Sequence, residues 1–121
     1  MKKIYLTSCL LLLLGAPLVM AQDVVSSDAA LHERVTALSR RIAETTKLNE
    51  GQYLQVKRLN LVMMTEMETI KARFASTPAK LDEQLAELQS RYDWDLAALL
   101  LPKQLMVYNA SKISTLAVNA R

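Results

Sequence analysis

The sequence predicts an all-α fold, a small helical hairpin or bundle of about four helices, and three observations predict it. Beyond residue 21 there is one glycine, Gly51, and two prolines, Pro78 and Pro102, each in the first turn of a segment with helical periodicity. Alanine, leucine, glutamine and charged residues fill most of the remainder, the composition of helix formers. No stretch alternates apolar and polar residues over a useful length, so no sheet is expected.

Residues 1–21 stand apart from that fold. Lys2 and Lys3 form a basic start, leucines at 10–14 anchor an apolar run, and Val19-Met20-Ala21 puts small residues at −3 and −1. That is the pattern of a secretory signal peptide cleaved before Gln22, which leaves residues 22–121 as a single helical domain. The run is too short, and too interrupted by Gly15 and Pro17, for stable membrane insertion. Leu6-Thr7-Ser8-Cys9 has the composition of a lipoprotein box but precedes the apolar run, so lipidation at Cys9 is the minor alternative. The expected compartment is the periplasm, or alternatively the medium.

Without the signal, 15 basic residues fall to 13 against 12 acidic ones. A net charge of about +1 gives no electrostatic footprint for nucleic acid. Cys9 is the only cysteine and leaves with the signal, so the mature chain is expected to have no disulfide. Packing has to supply its stability.

The helices follow in order. After a polar leader, 22–27, Ser27 or Asp28 can cap a first helix reaching about Leu48, with Leu31, Val35, Leu38 and Ile42 on one face. Arg40, Arg41 and Glu44 face water, so this helix packs on one side. The second helix, about 50–75, carries Tyr53, Val56, Asn60, Met63, Met67, Ile70 and Phe74 at alternating three- and four-residue spacing. Leu59 flanks that stripe on one side; Met64, Leu61 and Leu54 widen it on the other. An apolar arc over more than half the circumference predicts two neighbours, in the bundle or across a dimer.

Thr77 is the expected N-cap of a third helix with Pro78 at N1, and Asp82 and Glu83 lie near its positive end. Its stripe is Leu81, Leu85, Leu88, Tyr92, Leu96 and Leu99, with a Glu87–Arg91 pair expected outside. The fourth begins at Pro102, with Leu105, Tyr108 and Leu116 on one face and Met106, Ala110, Ile113 and Ala117 beside them.

Chemistry-bearing constellations are sparse. His32, the only histidine, lies off its helix's stripe, and neither a nucleophilic triad nor a zinc site has the necessary partners. Asp93/Asp95 and Glu66/Glu68 are two residues apart and point to different sides of a helix. No glycine loop could hold phosphate. No enzymatic activity, metal or cofactor is expected. Asn109-Ala110-Ser111 matches a glycosylation sequon but sits in a predicted helix.

Met63, Met64 and Met67 admit two readings: an adaptable surface for non-native chains, or core filler, the commoner fate at this spacing. Trp94, between Asp93 and Asp95, is about 200° from Tyr92 and forms a second strip with Ala97 and Leu101. It predicts an interface or inter-helix contact ahead of a client site. Asn60 on the central stripe is either a register-setting polar residue or one rotated to the edge.

Two segments 52 residues apart carry the most information: Leu48-Asn49-Glu50-Gly51-Gln52 and Leu100-Leu101-Pro102-Lys103-Gln104. In the first, Leu48 is N′, Asn49 the N-cap, Gln52 the N3 residue that reaches back, and Tyr53 the other half of a hydrophobic staple. The second keeps the leucine and glutamine, with Pro102 at N1, Gln104 at N3 and Leu105 for the staple. Leu101 cannot cap, so this copy is chemically weaker.

With these two helix starts, residues 48–110 resemble the LTxxQ family of small periplasmic proteins, the Spy/CpxP-like group. Its Leu-Thr-x-x-Gln motif is matched at Leu48 and Gln52, with Asn49 as an equally good cap, and at Leu100 and Gln104, with a proline at Pro102. Both threonines are replaced, and the intervening segment is shorter than in the best-studied members. The resemblance implies an ATP-independent, holdase-type chaperone or envelope-stress protein, a homodimer that binds unfolded or partly folded proteins. Its implied client surface is Met63, Met64 and Met67 with Lys57 and Lys71. A regulatory or structural helical binding protein of the envelope, with a dedicated partner, is the alternative.

Overall fold

The computed structural model describes the backbone of residues 18–119 and the side chains of residues 27–112. The start and apolar run of the predicted signal peptide, Cys9, and the side chains of Ile113, Leu116 and Ala117 lie outside the described residues. Four helices follow one another: α1 (Leu18–Thr46), α2 (Glu50–Arg73), α3 (Pro78–Leu99) and α4 (Pro102–Asn119). No strand occurs among the described residues, and no described helix is long and apolar enough to cross a membrane. The chain divides into two units, Met1–Ala30 and Leu31–Arg121. The packing below concerns the second.

α1 starts at Leu18, not at Ser27 or Asp28, so the leader expected to fray is helical. The reason is in the sequence: no glycine or proline occurs between 18 and 50, and serine and aspartate cost little inside a helix. Its other end falls at Thr46, where Lys47 takes a left-handed conformation (φ 58°). Leu48 N–H then donates to Ala43 O at 3.2 Å, the six-to-one bond of a Schellman cap. Glycine is the usual residue at that position because it has no Cβ penalty. Lys47→Gly is therefore expected to stabilise the protein by about 0.5–1 kcal/mol, read as a raised urea midpoint.

The core contains Val35 and Ile42 of α1, Val56, Met63 and Met64 of α2, Leu88, Tyr92 and Leu96 of α3, and Leu100. Each predicted stripe supplies its share, and Leu31, Leu38, Leu59, Leu61, Met67, Ile70, Leu99, Leu105 and Tyr108 pack partly against it. α2 packs most closely on α3. The wide apolar arc of α2 is narrower than the sequence suggested, because Leu54 is 55% exposed. On α4, Met106 and Ala110 are exposed, so the strip expected beside Leu105 does not pack as far as it is described.

Polar contacts give the neighbour relations. Glu66 of α2 accepts from Arg91 of α3 at 2.9 Å, and Glu68 accepts from Arg34 of α1 at 3.4 Å. Two carboxylates two residues apart thus reach opposite neighbours. Arg91 goes across to α2 instead of to Glu87, because its position on α3 faces the tightest helix contact. Asp93 of α3 holds Lys112 of α4 at 3.0 Å. These pairs are half-exposed and worth about 0–1 kcal/mol each, so they select neighbours more than they stabilise.

At the α3 start, Thr77 occupies the N-cap and Pro78 the first turn, but the threonine side chain makes no capping bond. Its hydroxyl donates back to Phe74 O at 3.4 Å. Asp82 and Glu83 fall beyond the first turn, which holds no acid; Lys80 lies there and pairs with Glu83 at 3.2 Å.

Candidate functional site

The two motif segments meet. Asn49 Oδ1 accepts from Gln52 N–H at 2.8 Å, and Gln52 Oε1 accepts from Asn49 N–H at 3.1 Å, which completes the expected capping box. In the second segment Leu101 offers no cap, yet Gln104 Oε1 accepts from Leu101 N–H at 2.9 Å, so half a box survives. Helix starts built this way hold both glutamine amides in fixed positions.

Those amides then pair with each other. Gln52 Nε2 donates to Gln104 Oε1 at 2.7 Å, and Gln104 Nε2 donates to Gln52 Oε1 at 3.1 Å. The second hydrogen of Gln52 Nε2 goes to Leu99 O and that of Gln104 to Lys47 O, both at 3.2 Å. Each carbonyl is the residue just before the other motif. An amide has two donors and two acceptor sites, and both glutamines use all four. Leu100 is buried in the core beside them, and Leu48 packs partly against it. Leucine, then glutamine four residues later, is thus the minimum needed to anchor a helix start and clasp it to its counterpart.

Further along the bundle, Asn60 joins three helices. It is fully buried, as is Ser39 of α1. Asn60 Nδ2 donates to Ser39 Oγ at 2.9 Å, and Tyr92 of α3 donates its hydroxyl to Asn60 Oδ1 at 2.6 Å. Ser39 in turn donates to Val35 O at 2.7 Å, as Thr46 does to Ile42 O. That back-bond lets a hydroxyl sit on an apolar face. Among the described residues no buried side-chain N or O lacks a partner. Burial, first, and then the charges of Tyr108 and Asp93 push the Tyr92 phenol well above its ordinary range, which keeps it a donor. Asn60 is therefore a satisfied polar residue of the core, not an edge residue.

The implied client surface does not survive as a surface. Met63 and Met64 are 8% and 9% exposed and belong to the core, and Met67 is half-buried. The broad arc of α2 is occupied by α1 and α3, so its methionines are filler. Lys57 is half-buried and Lys71 exposed. Met63→Ser and Met64→Ser should each cost about 2–4 kcal/mol of folding stability by chemical denaturation. Trp94 is 80% exposed. His32 is exposed.

A groove between α1 and α4 is the open site that the sequence left unmarked. It has a volume of about 200 Å³ and is lined by Leu38, Ile42, Thr45 and Tyr108, with Arg41, Ser111 and Lys112 around it. Lys112 lies 5.9 Å from the Tyr108 ring centroid while bonded to Asp93. Tyr108 is shifted upward by burial, against the opposing pull of Lys112. A dry cavity of about 150 Å³ takes up benzene, so this groove accommodates one aromatic or branched side chain. Among the described residues no group of His, Cys, Asp and Glu could hold a metal ion. No family model matches this chain, and no curated protein or solved structure matches it either.

Proposed function

We propose that this protein is a divergent LTxxQ-type helical protein of the cell envelope that holds apolar side chains of unfolded or partly folded proteins without nucleotide. The observation that carries the reading is the α1–α4 groove: an apolar floor of Leu38, Ile42 and Tyr108 reaches the surface there under cationic side chains. Support for the family reading is the clasp, which gives the two L-x-x-x-Q segments one shared physical task. Apolar contact supplies affinity without demanding a particular sequence, and Arg41, which makes no ion pair with a described residue, favours segments with acidic neighbours.

The test is to add the purified protein, without nucleotide, at rising ratios to an unfolding client while light scattering is followed. Suppression at near-stoichiometric ratios is expected. No suppression by a protein that is folded by circular dichroism rejects the holdase reading. The exposed Trp94 favours a second reading, a dedicated protein partner, which would bind saturably and leave bulk aggregation unchanged.

A further inference from the structure

The largest exposed apolar side chain and the open groove complement one another. Trp94 is the only tryptophan in the chain, 80% exposed on α3 and flanked by Asp93 and Asp95. Asp93 is engaged with Lys112, whereas Asp95 is exposed and makes no ion pair with a described residue. At the groove, Arg41 is exposed and likewise makes no ion pair with a described residue. The groove's 200 Å³ suits one indole ring.

We propose that the groove receives Trp94 of a second copy of this chain, with Asp95 of that copy meeting Arg41. Size and charge argue for that occupant: one free aromatic knob beside a carboxylate, and one apolar slot beside a free cation. Such a contact is self-complementary about a two-fold axis, each copy giving a knob and a slot. Trp94 then occupies the other copy's groove, so client and second copy compete for the same floor. This inference rests on the groove described above but not on holdase activity.

Because Trp94 is the sole tryptophan, its emission reports the contact without labels. The experiment is to dilute the purified protein over a wide concentration range, following tryptophan emission and sedimentation in parallel. The expected result is an emission that moves to the blue as the dimer forms. Arg41→Glu, which removes an exposed ion pair from each of the two symmetric contacts, should weaken association by roughly two- to thirtyfold. Trp94→Ala, read by sedimentation, should weaken it at least about thirtyfold, as for a central aromatic anchor. Thr45→Arg, which charges the groove wall and leaves Trp94 as reporter, should abolish the shift. A monomer with unchanged emission at every concentration overturns the proposal, as does a shift that Thr45→Arg leaves intact. In the scattering assay Trp94→Ala should protect a client at least as well as the unaltered protein. Failure of self-docking with protection retained removes this inference alone.

Discussion

Removing one end of the Asn60–Tyr92 hydrogen bond is expected to destabilise the protein far more than removing both. Asn60→Leu keeps the volume but strands the Tyr92 hydroxyl in the core, and Tyr92→Phe strands Asn60 Oδ1. Leaving a buried donor or acceptor unsatisfied costs about 1–3 kcal/mol, while replacing both partners with apolar groups is close to neutral. Ser39 tolerates the loss of Asn60 because its own hydrogen stays on Val35 O. The double variant should therefore lie well above the sum of the singles, with a coupling of about 1–3 kcal/mol in urea denaturation. Asn60→Ala adds a cavity and should cost about 2–4 kcal/mol, a large part of a small domain's stability. Additive singles would show that the network contributes nothing as a unit.

The same group sets an alkaline limit. Burial raises the Tyr92 phenol in the folded state, so above about pH 10 the unfolded chain releases a proton that the folded chain retains. Stability is complete below that pH and falls as pH rises toward the folded-state value. Tyr92→Phe should flatten that fall, leaving the smaller contribution of Tyr108, which burial also raises. A slope unchanged by Tyr92→Phe would assign the alkaline loss to other groups.

The second large effect concerns the clasp. Gln104→Ala strands the N–H of Leu101, the carbonyl of Lys47, and one donor and one acceptor of Gln52. Because the site is part-buried and water can replace some of these bonds, the expected loss is about 1–3 kcal/mol. Gln52→Ala should cost a similar amount. Once either amide is gone, the other has lost its counterpart, so the double variant should recover about 1–2 kcal/mol of the summed loss. Asn49→Ala, which removes only a local cap, should cost about 0.5–2 kcal/mol. Equal, additive losses for Gln52 and Gln104 would mean two independent caps and no clasp.

Much of this architecture is legible in the sequence because it is local. The start of α2 follows from Asn49 and Gln52, the α3 stripe from its leucines, and the α3 and α4 starts from Pro78 and Pro102. What could not be read is which polar groups meet across the bundle. Gln52 and Gln104 each look like a local cap, and nothing in either segment announces that the spare amide hydrogens are exchanged. Asn60 on an apolar stripe was a signal without a partner; Ser39, four residues after Val35, was a usable clue to it.

The groove was missed for a different reason. Its lining comes from ordinary stripe residues, Leu38, Ile42 and Tyr108, which helical spacing assigns to a core. Whether such residues close over or stay open depends on how two helices distant in sequence are placed. Periodicity carries no information about that. The methionines of α2 show the converse: Met63 and Met64 had a composition suited to an adaptable surface and were placed in the core.

The most direct test places a crosslinker in the groove. The only cysteine in the sequence is Cys9, so Thr45→Cys in a Cys9→Ser background gives a unique attachment point on the groove wall, and Ser90→Cys in the same background gives a control on an exposed position of α3. Each variant, carrying a photoactivatable group, is irradiated with an unfolding client. Groove binding predicts that the client is captured from position 45 and not from position 90. Equal capture from both positions, or capture from position 90 alone, would contradict it.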